Sequence, residues 1–112
     1  MIMDTLPLGH MPQDEARYAA RFLRSLASEH RLQILCYLTS GEKSVSQLNQ
    51  FFPHSASAFS QHLAVLRQQG LLIFRKEGQT IYYSIADPDT RKFLELIKDK
   101  FCTDYQNYST IA

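Results

Sequence analysis

The sequence predicts a mainly α-helical fold with one β-hairpin, in the order of four helices, two strands and a final helix. Three observations support this prediction. Apolar residues recur at helical spacing from about residue 13 to Gly70. From Leu71 the composition changes to Ile, Phe, Tyr and Thr, which is typical of strands. Asp87-Pro88 then favours the start of another helix.

The first two helices follow from spacing and capping residues. The first begins at about Gln13, with an apolar face of Tyr18, Ala19, Phe22, Leu23 and Leu26. Ser28 is a typical N-cap for the second helix, and Gly41 is typical of the residue after a helix. The second helix should pack through the face formed by Leu32, Leu35, Cys36 and Thr39.

Two shorter helices are separated by a turn. Ser44 and Gln47 form a capping box that begins the third helix, with Val45, Leu48 and Phe52 facing inward, and Pro53 ends it. His54 and Ser55 form the turn, and Ser55 is the expected N-cap of the fourth helix. The apolar stripe of that helix is Phe59, Leu63 and Leu66, and Gly70 ends it.

Residues 71–76 and 79–85 are the expected strands, with Glu77-Gly78 as their tight turn. In the last helix, core spacing is found at Phe93, Leu94, Ile97 and Phe101.

Length and composition predict one ordinary globular domain, because the chain has 112 residues, 45% apolar and 21% charged. We expect a flexible arm at residues 1–12, the domain at 13–103 and a tail at 104–112. No apolar stretch approaches the ~20 residues that span a bilayer, and residues 1–12 lack a signal-peptide pattern. These observations predict a cytoplasmic protein.

Two short helices joined by a turn and followed by a hairpin form a winged helix-turn-helix. The fourth helix would then enter the major groove of DNA, so its outward face should be small and polar. Such residues are present there, able to contact base edges or phosphates: Ser55, Ala56, Ser57, Ser60 and Gln61. For His62 the sequence leaves three roles open: packing, phosphate contact and base contact.

Between His54 and Ala86 there are three basic residues and one acidic residue. The candidate contacts in the fourth helix and the wing are Arg67, Arg75, Lys76 and Gln79. A small basic excess or a serine-rich helix start alone would indicate only a solvated surface. Their combination with the helix pair and the hairpin predicts binding to double-stranded operator DNA.

Other classes of protein fit less well. The sequence has no nucleophile elbow, glycine-rich phosphate loop or paired-carboxylate motif, so we expect neither an enzyme nor a cofactor. A winged helix that binds proteins would have an acidic or apolar face on the fourth helix. Here that face is polar and uncharged.

The chain resembles the ArsR/SmtB family of bacterial repressors over about residues 13–103. The resemblance rests on LASEHRLQIL at 26–35, SAFSQHL at 57–63 and residues 70–83, which end in Tyr82-Tyr83. It implies a homodimer joined through the first and last helices, which binds a palindromic operator and leaves it when an inducer binds.

The metal ligands of that family are not found at the matching positions. Ser44-Val45-Ser46-Gln47 stands where a Cys-x-Cys pair would lie, and Asp87-Pro88-Asp89 replaces an Asp-x-His start. No metal site is therefore predicted, although a site formed by Asp87, Asp89 and partner residues stays an alternative. Under that alternative the chain senses a metal or another signal, and its cysteines are structural.

Cys36 and Cys102 match the thiol- and persulfide-sensing branch of the family. This implies that both thiols of one subunit react with reactive sulfur species or oxidants. The two cysteines then become joined by a disulfide or polysulfide bridge. The residues alone leave other possibilities, because a cysteine between Leu35 and Tyr37 is also typical of a core. At Cys102, nearby Lys98 and Lys100 would favour a thiolate, whereas a helix C-terminus disfavours it.

Overall fold

The structure, a computed structural model, describes residues 8–52 and 56–111. These residues contain five helices and two hairpin strands in the predicted order, together with a 3-10 turn and a further short strand. None of the helices described combines the length and apolar content that crossing a bilayer requires. The elements are α1 (Gln13–Leu26), α2 (Glu29–Tyr37), the 3-10 turn (Leu38–Ser40), β1 (Lys43–Ser44), α3 (Val45–Phe51), α4 (Ala56–Gln68), β2 (Leu72–Glu77), β3 (Thr80–Ile85) and α5 (Pro88–Ile111).

The predicted capping of α2 and α3 is confirmed. Ser28 Oγ accepts a hydrogen bond from the Arg31 N–H at 3.4 Å. Ser44 Oγ accepts from the Gln47 N–H at 3.1 Å, and Gln47 Oε1 accepts from the Ser44 N–H at 2.9 Å. These side chains satisfy N–H groups that the first turn of a helix leaves unpaired. The predicted roles of Pro53, His54 and Ser55 lie outside the described residues.

The second helix ends differently from the prediction. Its α-helical part stops at Tyr37, and the chain continues as the 3-10 turn before Gly41, whose φ is 132°. The Thr39 hydroxyl donates a 2.7 Å hydrogen bond to the carbonyl oxygen of Cys36. This bond holds the end of the helix and places Thr39 beside Cys36.

The sheet has three strands in the order β1-β3-β2, all antiparallel. The strand β1 was not predicted, because two residues are too short for an alternating pattern. Glu77 pairs with Thr80, so the hairpin loop is Gly78-Gln79 and not Glu77-Gly78. Gly78 has a φ of 62° and Gln79 has a negative φ, as in a type II′ turn. The predicted turn was therefore wrong by one residue.

The core lies where α2, α3, α4, the sheet and α5 meet. Most of the predicted core residues are buried in it: Leu26, Leu35, Leu48, Phe52, Phe59, Leu63, Leu66 and Leu94. Tyr18, Leu23 and Phe101 are exposed instead, at 65%, 51% and 61%. Helical spacing identified the apolar faces of α1 and α5 correctly, but part of each face extends beyond what this single chain covers.

Candidate nucleic-acid interface and thiol pocket

The core fixes the orientation of α4. Phe59 and Leu63 are buried on one side of the helix, and the Phe59 ring stacks on Phe52 with centroids 6.4 Å apart. The predicted contact residues Ser57, Ser60 and Gln61 lie on the exposed side. Ala56 is the first residue of the helix, whereas Ser55 is outside the described residues. The helix therefore presents small polar groups on a face whose direction is set by buried aromatic packing.

His62 connects α4 to α2. It is partly buried, and its ring centroid lies 5.2 Å from that of His30, with the two planes inclined by 40°. Of the three roles that the sequence left open for His62, this contact favours packing. Sequence reasoning did not pair these histidines, because they lie on different helices.

The wing contains a charge cluster that was not predicted. The Arg75 guanidinium donates to both carboxylate oxygens of Glu42, with distances of 2.6 to 3.1 Å, and to Glu77 Oε2 at 2.7 Å. It also lies 4.4 Å above the Tyr82 ring. The hydrogen bond from Arg75 lowers the pKa of Glu42 below its usual range. Glu42 precedes β1, so the pairing of β1 with β3 brings this carboxylate to the wing.

The other predicted contacts, in α4 and in the wing, are exposed. Arg67 of α4 lies over the Phe74 ring of β2, with 4.4 Å between the guanidinium carbon and the ring centroid. Lys76 is an exposed residue of β2, and Gln79 is exposed in the hairpin loop. The Arg67–Phe74 contact joins α4 to the hairpin, the two candidate DNA-contacting elements.

A separate pocket contains both cysteines. It is a cavity of about 410 Å³ between α2 and α5. Cys36 is partly buried, Cys102 is exposed, and both are free thiols. The packing of the two helices thus brings together cysteines that are distant in sequence. The lining residues are Leu32, Gln33, Cys36, Ile97, Lys98, Phe101 and Cys102.

The surroundings of Cys36 in the pocket favour its neutral thiol over its thiolate. Burial raises the pKa of the Cys36 thiol, because a thiolate loses hydration there, and the nearby Cys102 raises it further. The positive charge of Lys98 acts in the opposite direction. Lys98 Nζ donates to Thr39 Oγ1 at 3.0 Å, a link that the sequence did not indicate. Lys100 lies instead over the Phe101 ring, with 5.7 Å between its Nζ and the centroid.

Asp87 caps the last helix. One carboxylate oxygen accepts from the Thr90 hydroxyl at 3.2 Å, and the other accepts from the Asp89 N–H at 3.4 Å. This is the capping role that Asp87-Pro88 predicts. Within residues 8–52 and 56–111, no three His, Cys, Asp or Glu side chains come together in a way that could hold a metal ion.

Sequence comparisons agree with this architecture. The family model described as "Bacterial regulatory protein, arsR family" matches residues 28–73. The transcriptional activator HlyU of Vibrio cholerae is 41% identical over 85% of this chain and 87% of its own length. The nodulation protein NolR of Rhizobium meliloti is 39% identical over 88% of this chain and 80% of its own length. A biofilm growth-associated repressor of Agrobacterium fabrum is 31% identical over 91% of both chains.

Solved structures share the fold. HlyU from Vibrio cholerae superposes with a TM-score of 0.75 at 41% identity, covering 82% of this chain and 99% of that one. The transcriptional repressor BigR from Xylella fastidiosa superposes with a TM-score of 0.74 at 29% identity, covering 80% of this chain and 92% of that one. HlyU is named a transcriptional activator, BigR a transcriptional repressor and the A. fabrum relative a repressor. The chain belongs to the arsR family of bacterial regulatory proteins, as a DNA-binding regulator of transcription.

Proposed function

We propose that this regulator is a homodimeric repressor that releases its operator when Cys36 and Cys102 react with reactive sulfur species or oxidants. The observation that supports this most strongly is the pocket between α2 and α5, which both thiols line. The HlyU relative is named an activator and the A. fabrum relative a repressor. Repression by this chain is therefore part of the proposal.

In the proposed complex α4 lies in the major groove. Its exposed Ser57, Ser60 and Gln61 contact base edges, while Ser55 and Ala56 contact DNA at the start of the helix. The positively charged groups contact phosphates, which supply affinity but little sequence discrimination. The residues proposed to contact phosphates are Arg67, Arg75 and Lys76. The polar Gln79 of the wing loop is proposed to contact DNA with them.

Exposed apolar side chains on α1 and α5 support a homodimer. Tyr18 and Leu23 of α1 are 65% and 51% exposed, and Leu96 and Phe101 of α5 are 67% and 61% exposed. A second copy of the chain that packs on these two helices would remove this apolar surface from water. The dimer would also place two α4 helices on successive major grooves, ~34 Å apart.

The proposed chemistry begins at Cys36. Its thiolate attacks the sulfane sulfur of a persulfide RS–SH, which forms Cys36–S–SH and expels RS⁻. The Cys102 thiolate then attacks the Cys36 sulfur and expels HS⁻, which leaves a disulfide. Two thiols are oxidised, and one sulfane sulfur is reduced to hydrosulfide. If further sulfane sulfurs are transferred before closure, the product is a polysulfide bridge.

A bridge between Cys36 and Cys102 would alter how the two subunits of the dimer are placed relative to each other. It joins α2, which contacts α4 through His30 and His62, to α5, which we place in the dimer interface. Both α4 helices would shift relative to the operator, because the dimer is symmetric. Losing one or two base contacts in each subunit, at ~1–3 kcal/mol each, is enough to release DNA.

The experiment measures operator binding by the reduced protein before and after polysulfide treatment, together with mass spectrometry of the bridged peptide. We expect the wild type to dissociate and to contain a Cys36–Cys102 bridge, while Cys36→Ser and Cys102→Ser stay bound. Normal dissociation of either variant would show the two-thiol mechanism to be wrong. Release of both variants by added metal ions would favour the alternative, a metal-sensing regulator with structural cysteines.

A further inference from the structure

Lys98 is a cation in a mostly apolar pocket. It is partly buried on α5, and its neighbours around the cavity include Leu32, Ile97 and Phe101. An ammonium group beside apolar side chains loses hydration, so its position there has a free-energy cost unless it binds an acceptor or an anion. The hydrogen bond to Thr39 at 3.0 Å uses one of its three N–H donors.

Two hydrogen bonds connect Lys98 to Cys36. The first runs from the Lys98 ammonium to the Thr39 hydroxyl, and the second runs from that hydroxyl to the Cys36 carbonyl oxygen at 2.7 Å. Thr39 is only 7% exposed and belongs to the 3-10 turn directly after α2. This chain of bonds ties the Lys98 ammonium to the backbone of Cys36, and both residues line the same cavity.

We propose that Lys98 is the positioning residue of the thiol site, whose ammonium stabilises the anionic sulfur of Cys36 for attack on a sulfane sulfur. This inference rests on the proposed function, since it concerns the same pocket and the same reaction. The ammonium and a thiolate carry opposite charges, so they attract each other more strongly than the ammonium and the neutral Thr39 hydroxyl do. The same cation also favours the two anions that the reaction expels, RS⁻ and then HS⁻.

The charges that act on Cys36 agree with this role. Burial and Cys102 both raise the pKa of the Cys36 thiol, whereas Lys98 lowers it. Cys102 and Lys98 both belong to α5. The pKa of the Cys36 thiol is raised even with Lys98 in place, so loss of Lys98 would raise it further and leave still less thiolate at neutral pH.

The test follows the rate of Cys36 alkylation by iodoacetamide against pH, in a Cys102→Ser background where Cys36 is the single thiol. We expect Lys98→Met to move the midpoint of this profile to higher pH and to slow alkylation several-fold at pH 7. Lys98→Arg should restore most of the rate, because it returns the positive charge. Lys100→Met is the matched control on the same helix and should leave the profile unchanged.

An unchanged profile in Lys98→Met, or a Lys98→Arg variant as slow as Lys98→Met, would overturn the inference. Should Lys98→Met fail to fold, Lys98→Gln provides the same test with a polar side chain. The outcome is independent of DNA release, because only the reactivity of Cys36 is measured. If the profile shifts as expected while polysulfide leaves operator binding intact, Lys98 acts as inferred and the proposed function is wrong.

Discussion

Cys36 shows how the surroundings of a single residue set its chemistry. In the sequence it is a small apolar residue between Leu35 and Tyr37, as compatible with a core as with a sensor. In the fold it lines a cavity with Cys102, and two hydrogen bonds through Thr39 join its backbone carbonyl to Lys98. The Lys98–Thr39 bond joins residues 59 positions apart, so no local pattern could have predicted it.

The raised pKa of Cys36 gives its reactivity a defined pH dependence. The thiolate is the nucleophile, and burial makes it less populated in the folded protein than in the unfolded chain. We therefore expect alkylation of folded Cys102→Ser to accelerate at higher pH than alkylation of the same variant in guanidinium chloride. Rates measured against pH in both states test this. A folded midpoint at or below the unfolded one would contradict it.

Glu42 competes with DNA phosphate for Arg75 if the wing contacts the DNA backbone. Removing its charge in Glu42→Gln frees the guanidinium from a bidentate carboxylate. We expect binding a few-fold tighter to DNA of any sequence, with a steeper dependence on salt. Affinities measured over a series of salt concentrations test this, and Glu95→Gln on α5 removes the same charge elsewhere as a control. Equal effects from both variants would show that only net charge matters.

At the scale of elements, the order and types of the helices and hairpin strands could be predicted, because they depend on local signals. The capping box at Ser44 and the N-cap at Ser28 act within one turn of helix. Features that depend on distant pairing could not be predicted. The strand β1 exists because Lys43 and Ser44 pair with Tyr83 and Tyr82, and the register of β2 with β3 places the turn at Gly78.

The same distinction applies to the candidate site. The polar face of α4 could be predicted from helical spacing around Phe59 and Leu63, which are both buried. The Glu42–Arg75 cluster could not, since its residues are 33 positions apart and meet through the sheet. The predicted contact residues of α4 and the wing, and the domain limits at residues 12 and 103, stay predictions.

Gln61 tests whether α4 discriminates between base sequences. Its side chain is exposed, so Gln61→Ala should leave the fold intact and remove hydrogen bonds to a base edge. We expect operator affinity to fall by ~1–3 kcal/mol while binding to unrelated DNA stays nearly constant. Gln68→Ala, at the other end of α4, is the matched control. Equal losses on operator and unrelated DNA would place Gln61 outside base recognition.

At the scale of the whole molecule, the exposed apolar faces of α1 and α5 predict assembly. We expect light scattering at micromolar concentration to return the mass of a dimer. Leu23→Glu should shift the protein towards monomer and weaken operator binding, because a charge would then be buried in the interface. Ile73→Glu, at a similarly exposed position of the wing, should leave the mass unchanged. A monomer mass for the wild type would contradict the prediction.

In the proposed mechanism, the state of the two thiols sets the operator affinity of the assembled protein. The most direct test compares operator dissociation constants for one preparation in three states: reduced, fully bridged between Cys36 and Cys102, and reduced again with dithiothreitol. We expect at least a tenfold weaker affinity for the bridged state, about 1.4 kcal/mol, and full recovery on reduction. Equal affinities in the bridged and reduced states would contradict it.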